Sequence, residues 1–505
     1  MFFKKITIPF FVFITGACVL IIEIIAIRIL SPYFGNTIFT VSSVISVVLA
    51  ALSLGYYFGG KLADKYPNEK LFYGIIALSG FVVIFLHVFG TVFLSTFGYS
   101  LSIIHGPIIS SVILFFLQSF LLGMLSPFAV KLQTMRLKEM GVGSVSGQIF
   151  FWSTLGSILG SLSAGFILIP NFGISKIILG IGFLLIVLGL FGDLKNRFWP
   201  KFFLIIFLFF LTSFFLESFS SNSQNIIYGK DSIYQKITIY DGVYNEKPAR
   251  FLTQDRNSSA AEFIDSEELV FEYTKYYALY QITNPNIKEA LAIGGGAYSV
   301  PKAILKDLPE VKVDVAEIDP LVFFLGKKYF GVPSDARLNN FSQDGRRMLY
   351  DSNKKYDVIF SDAYSSLYST PQHLTTQEFF KIAKERLSNN GIFIANVIGS
   401  LNPIKQSFAL SEIKTFKSVF SNSYFFAVNS PSSQKLQNII FVGYKGNNKI
   451  DFNSPEIKNN KNYIISGLSY KKIDVSKFDF SSYPILTDDF APVDYLMSKE
   501  FKNIY

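Results

Sequence analysis

The sequence predicts a bundle of membrane-crossing α-helices followed by an α/β domain with a largely parallel sheet and a small β segment at its start. Three observations predict it. Half of the 505 residues are hydrophobic and only 16% are charged, with 55 Phe and a mean hydropathy of +0.37, whereas soluble domains carry about 25% charged residues. The deficit is confined to residues 1–217, which hold 13 Lys and Arg and 6 Asp and Glu, while residues 218–505 hold 33 and 31. From residue 287 onward, strand-like apolar runs alternate with helix-like ones.

The net charge of +9 is therefore +7 in a greasy half and +2 in a half of ordinary charge density. That split excludes a collagen, a disordered tail and a single soluble enzyme. It also excludes nucleic acid as a partner bound through bulk charge, because the excess lies in the half that meets lipid. Cys18 is the one cysteine, so neither a disulfide framework nor a cysteine zinc site is expected within one chain, and the redox compartment is left open.

About 20 apolar residues cross the hydrocarbon. Seven stretches qualify, at 9–31, 38–58, 71–93, 108–128, 144–168, 174–192 and 199–217. The first is too long for a signal-peptide core and contains Glu23 and Arg28, so it is read as a retained helix. With the N-terminus in the cytoplasm, eleven of the thirteen basic residues lie inside and only Arg28 and Lys176 outside. The loop Gly59-Gly60-Lys61-Leu62-Ala63-Asp64-Lys65 resembles the cytoplasmic turn between helices 2 and 3 of major-facilitator transporters. Glu23, a carboxylate in an apolar helix, is read either as a lock between helices or as a proton- or amine-handling group. Gly156, Gly160 and Gly165 are expected at close helix contacts.

The Ser/Asn-rich stretch after residue 217 marks the boundary. The expected domains are 1–217 (transmembrane, about seven helices), 218–230 (linker), 231–285 (β-rich) and 286–505 (α/β). Strands are expected at 288–293, 312–317, 356–361 and 391–397, with helices at 299–308, 320–329 and 376–387. In such a sheet, ligands bind at the carboxyl ends of the strands. Gly294-Gly295-Gly296 follows the first strand, where glycine lets the backbone turn tightly and approach a ligand. Glu317 ends the second strand, where a carboxylate accepts ribose hydroxyls. Asp344, in Gln343-Asp344-Gly345-Arg346, and Asp362 follow at successive strand ends. Dinucleotide spacing fails at Tyr298 and Pro301, so an adenosine with a short sulfonium tail fits better than NAD. The alternative for the whole set is an α/β domain whose polar residues merely cap helices.

These segments, Ile293 to Gly296, Val315 to Pro320, Gln343 to Arg346 and Ile359 to Tyr364, resemble spermidine synthase, the polyamine aminopropyltransferase. Tyr234-Gln235 is similar to the Tyr-Gln of that family's N-terminal hairpin domain, and Leu486 to Val493 to the closing segment of its membrane-fused relatives. The resemblance implies a Rossmann-like fold of the S-adenosylmethionine-dependent methyltransferase type. It implies decarboxylated S-adenosylmethionine as co-substrate, bound by Gln235, the three glycines, Glu317, Asp344 and Gly345. Asp362 then takes a proton from an attacking di- or polyamine, and no metal takes part.

The family's Asp after the glycines is Ala297 here, its second catalytic-loop Asp is Ser365, and its His in the first core helix aligns with Glu272. Glu272 and Tyr364 are therefore read as amine-side residues, and His373 as a second catalytic group, with a loop histidine bonded to backbone as the alternative. Ala297 keeps open a methyltransferase-like enzyme using intact S-adenosylmethionine. Glu23 and the Gly59 loop keep open a polyamine- or nucleoside-sensing transport protein. Expected partners are an amine and the lipid bilayer, with a homodimer also open. The expected location is a bacterial inner (cell) membrane. Seven crossings put the soluble half outside, whereas a sulfonium donor is made inside, so its side is left open.

Overall fold

The computed structural model describes residues 2–98, 100–192, 225–255, 257–283, 286–363, 370–404, 406–446 and 449–501, side chains at 2–6, 191, 192 and 257 excepted. Two compact units emerge. One is Met1–Gln224 with Lys230–Gln235, the other Asn225–Gly229 with Lys236–Tyr505. Most of the expected 218–230 linker lies outside the described residues.

The first unit contains α1 (Phe2–Phe34), α2 (Ile38–Lys65), α3 (Glu69–Phe97), α4 (Gly106–Arg136), α5 (Val142–Ser163) and α6 (Ile174–Gly192). Five helices, Thr7–Phe34, Ile38–Lys65, Glu69–Phe97, Gly106–Arg136 and Val142–Asn171, are long and apolar enough to cross a membrane, and the apolar part of α6, Ile174–Leu190, is shorter. The seventh expected span, 199–217, lies outside the described residues. Polar caps start α2 and α3: Thr37 Oγ1 accepts the Thr40 N–H at 3.3 Å, and Asn68 Oδ1 accepts the Lys70 N–H at 2.8 Å.

Helices α1 and α5 pack through glycine. A Cβ on Gly156 would collide with the Phe13 carbonyl oxygen, and one on Gly160 would lie 2.7 Å from the Ala17 Cα, so backbone meets backbone as small residues permit. Gly165 departs from expectation. It lies in a π-helical turn, Ala164–Leu168, and a Cβ there would meet nothing within 4 Å. Glu23 is half-buried and makes no hydrogen bond or ion pair among the described residues, so the reading of a polar lock finds no partner there.

The two ends of the bundle differ in charge. At one end Lys131 pairs with Asp64 at 2.8 Å and Arg136 with Glu69 at 2.6 Å. At the other, Arg28 donates to the carbonyl oxygens of Ser232, at 2.9 Å, and Tyr234, while Asp231 Oδ2 accepts the Ile174 N–H at 3.1 Å.

The second unit holds two sheets. The smaller has the order β1 (Ile226–Asp231), β2 (Lys236–Tyr244), β3 (Lys247–Gln254), β4 (Asn257–Phe263). Asn245 and Glu246, both at positive φ (47° and 67°), close the antiparallel β2–β3 hairpin, the handedness that two-residue hairpin turns require.

The larger sheet is built from β5 (Glu289–Ile293), β6 (Lys312–Ala316), β7 (Leu338–Phe341), β8 (Tyr356–Ser361), β9 (Leu387–Gly399), β10 (Ser423–Ala427) and β11 (Gln437–Tyr444). Its order is β10-β11-β9-β8-β5-β6-β7. Strands β7, β6, β5, β8 and β9 run parallel, and β11 and β10 pair antiparallel. This is a mixed Rossmann-like sheet of the methyltransferase type, as expected. Its helices are α7 (Ser299–Asp307), α8 (Pro320–Tyr329), α9 (Gly345–Asp351), α10 (Gln377–Glu385), α11 (Phe408–Val419) and α12 (Val493–Phe501). The central strands are apolar on both faces, with Ala290, Val313, Ile359, Phe393 and Phe441 fully buried, as a sheet covered by helices on both sides demands.

Candidate active site

The parallel strands all deliver their carboxyl ends to one edge of the large sheet, and the polar residues picked from the sequence stand there. Gly294 has φ +92°, and a Cβ on it would collide with the carbonyl oxygen of Asp362. Only glycine lets the turn after β5 pass so close to the turn after β8. Backbone bonds complete the junction: Gly294 N–H donates to Ala316 O and Asp362 N–H to Ile293 O, each at 2.9 Å. Gly296 has φ +52°. Gly345 starts α9 where a Cβ would collide with the Ile293 side chain.

Glu317 is 5% exposed. Its Oε2 accepts the Gly295 N–H at 2.8 Å and its Oε1 the Asp319 N–H at 2.9 Å. Burial pushes this carboxyl up, and the backbone N–H groups of Asp319 and Gly295 partly offset the push. The carboxylate thus ties the glycine turn to the end of β6, where a ribose-binding group is expected.

Asp344 caps α9 by accepting the Arg347 N–H at 2.9 Å on Oδ1. Its Oδ2 lies 2.8 Å from Nε2 of His373. Burial raises the Asp344 carboxyl, but the His373 bond and the backbone N–H of Arg347 outweigh it and hold the group below the usual aspartate range. The helix-capping alternative is thus true of Asp344 as well. The structure sets His373 beside the residue expected to bind adenine.

Asp362, partly exposed at the end of β8, is otherwise hemmed in by protein. Desolvation pushes its carboxyl up to about 6, against the pull of hydrogen bonds from Asn396 and Tyr273. Asn396 Nδ2 donates to Asp362 Oδ1 at 2.9 Å, and Asn438 Nδ2 donates to Asn396 Oδ1 at 2.9 Å. A line of side chains from β11 through β9 therefore orients the carboxylate. Such a group, near the pH at which it must accept a proton, is what general-base chemistry calls for.

Gln235 is buried in the turn between β1 and β2, its N–H on Ser232 Oγ at 3.0 Å and its carbonyl accepting the Ser232 N–H at 2.8 Å. By its contacts it belongs to the helical unit. Glu272 opens a 3-10 segment, Glu272–Leu279, and its carboxylate is engaged by Lys275 at 2.9 Å and by the Tyr463 hydroxyl at 2.9 Å. Tyr364 and Ser365 lie outside the described residues. Ala297 is buried and brings no charge to the glycine turn.

Tyr273, Asn396 and Asn438 were not singled out from the sequence. The one signal available for Asn396 was a lone amide inside the apolar run Ile392 to Val397.

A family model, spermine/spermidine synthase domain, matches residues 275–454. The polyamine aminopropyltransferase of Vibrio vulnificus is 28% identical over 237 residues, 46% of this chain and 77% of that protein. Polyamine aminopropyltransferase 2 of Aquifex aeolicus is 23% identical over 450 residues, 83% of this chain and 84% of that protein. The carboxyl-terminal half carries a spermine/spermidine synthase domain. Among solved structures, a probable spermidine synthase from Corynebacterium glutamicum aligns with 52% of this chain and 94% of its own, at 20% identity and a TM-score of 0.42. The synthase domain spans all the strand ends described above, from the glycine turn after β5 to Asn438 on β11.

Proposed function

We propose that the chain is a membrane-embedded aminopropyltransferase that moves an aminopropyl group from decarboxylated S-adenosylmethionine to a di- or polyamine. The desolvated Asp362, raised to about 6 and lying against the glycine turn, carries the reading. The donor's sulfonium makes the adjacent carbon electrophilic, so the protein's tasks are to orient the amine and remove its proton. Asp362 accepts that proton as the amine nitrogen bonds to the carbon. The carbon–sulfur bond breaks with its electron pair going to sulfur, and methylthioadenosine is released.

Glu317 is assigned to the ribose hydroxyls, Asp344 and Gly345 to the adenine, and the three glycines to the close approach of the donor. Their arrangement fits an adenosyl group: a buried carboxylate at the second strand end, a bare backbone turn and a capped carboxylate at the third. Tyr364 is assigned to the amine. Glu272, neutralised by Lys275, is assigned to holding the segment from which Tyr273 reaches Asp362. The five long apolar helices support insertion into a bacterial inner membrane, in contact with lipid.

The test is methylthioadenosine release by the detergent-purified full chain given decarboxylated donor and putrescine. Release that depends on the amine and disappears in Asp362→Asn supports the reading. No release with any diamine or polyamine from a folded protein overturns it. Ala297 favours one competing reading, use of intact S-adenosylmethionine. Tighter binding of that ligand than of its decarboxylated form, by calorimetry, would decide for it.

A further inference from the structure

The last segment before α12, Leu486 to Asp488, is laced to the loop that carries His373. Arg346, the residue after Gly345, forks onto Asp488, with Nη1 2.7 Å from Oδ1 and Nη2 2.5 Å from Oδ2. The same Nη1 donates to the carbonyl oxygen of His373 at 3.1 Å. Thr376 Oγ1 donates to Asp488 Oδ1 at 2.8 Å, and the Asp488 N–H donates to Glu378 Oε2 at 3.0 Å. Leu486, fully buried, accepts the Gln377 N–H at 2.8 Å and donates its own N–H to Thr415 Oγ1 at 2.8 Å. Segment 486–488 thus spans the starts of α9 and α10 and the body of α11.

We propose that Asp488 is a positioning residue for the donor site. It fixes the Arg346 guanidinium, which fixes the backbone at His373, whose imidazole then orients the Asp344 carboxylate that meets the adenine. Bidentate guanidinium–carboxylate pairs set geometry as well as adding energy. A carboxylate oriented before its ligand arrives spares the binding step that ordering cost. Asp488 itself touches none of the reacting atoms. The inference rests on the aminopropyl-transfer reading, because that reading supplies the donor.

The experiment measures steady-state kinetics and methylthioadenosine binding for the full chain, for Asp488→Asn and for Arg346→Lys, which keeps the charge but loses the fork. Both variants are expected to raise the donor KM and the methylthioadenosine Kd about tenfold, with kcat and the amine KM within about twofold of the parent. The double variant is expected to be little worse than either single one, because both break the same link. A fall in kcat with an unchanged donor KM, or unchanged binding in both variants, overturns the proposal. A parent protein that binds no methylthioadenosine overturns the donor assignment itself, which separates the two failures. Unfolding of Asp488→Asn leaves Arg346→Lys to decide, and normal donor binding by that variant counts against the link.

Discussion

Asn396 Nδ2 holds Oδ1 of Asp362 at 2.9 Å while Asn438 holds Asn396 in the same way. Hydrogen bonds to the charged form of a carboxylate lower its pKa, so Asn396 restrains the rise that desolvation causes. Removing it in Asn396→Ala lets the Asp362 carboxyl climb further. The acidic limb of kcat/KM, expected near pH 6 in the parent, is predicted to move up by about one pH unit. A pH–rate profile checks this, and a limb that stays in place speaks against Asp362 as the base.

Asp362→Asn is predicted to cost about 10²–10⁴-fold in kcat and to stabilise the fold. The folded carboxyl titrates near 6, above its unfolded value, so its favourable protonated state is fully present at low pH and lost as pH rises through 6. At pH 8 the ionised group costs roughly 1–3 kcal/mol, discounted for its partial exposure. Thermal unfolding of the two proteins from pH 5 to pH 8 is expected to show a gap in Tm that widens with pH in favour of the asparagine variant.

A buried carboxyl pair, Glu412 and Glu500, stands next to Ser400, just past the end of β9. Glu500 of α12 accepts from Ser407 Oγ at 2.7 Å, Ser400 N–H at 2.8 Å and Ala409 N–H at 3.0 Å, capping α11, and burial pushes its carboxyl up to about 6. Burial first, and the Glu500 charge second, push Glu412 well above the usual range. Both shifts mean stability lost as pH rises. Glu412→Gln is predicted to match the parent below about pH 4, where the carboxyl is protonated both folded and unfolded, and to exceed it increasingly as pH rises, in denaturant titrations. Glu500→Ala, which strands three donors, is predicted to cost about 2–4 kcal/mol.

Segment Lys230–Gln235 belongs to the helical unit and lies at its Arg28 and Ile174 end, away from the Lys131–Asp64 and Arg136–Glu69 pairs. Basic loops face the cytoplasm, so this segment is predicted on the opposite face of the membrane. Ile233 is 45% exposed and Cys18 is buried, so Ile233→Cys offers a single reactive thiol. Labelling of intact cells by a membrane-impermeant maleimide is expected. Labelling only after permeabilisation would reverse the orientation.

Much of the sheet was legible because glycine and strand–helix alternation punctuate it. The expected strands at 288–293, 312–317, 356–361 and 391–397 stand within a few residues of β5, β6, β8 and β9. Strand β7, Leu-Asn-Asn-Phe, was not, since four half-polar residues carry no period. Strands β10 and β11 escaped because they leave the parallel alternation and return antiparallel. The polar residues at the strand ends were legible, but not what holds them. Asn396 reaches Asp362 across 34 positions and Arg346 reaches Asp488 across 142, and no local spacing encodes such pairings. Gly165 stands five residues after Gly160, about 140° round the helix from the face that Gly156 and Gly160 share, and buried Ala164 takes the next place on that face.

The Arg346–Asp488 link joins residues 142 positions apart, so it can form only after the sheet's strands have been made. The glycine turn, Glu317, Asp344 and Asp362 all leave the ribosome before Asp488, and strands β5 to β9 pair without it. A nascent chain can therefore build its sheet while its nucleoside pocket is still slack. Donor affinity would arrive late, as the final stretch docks on Arg346.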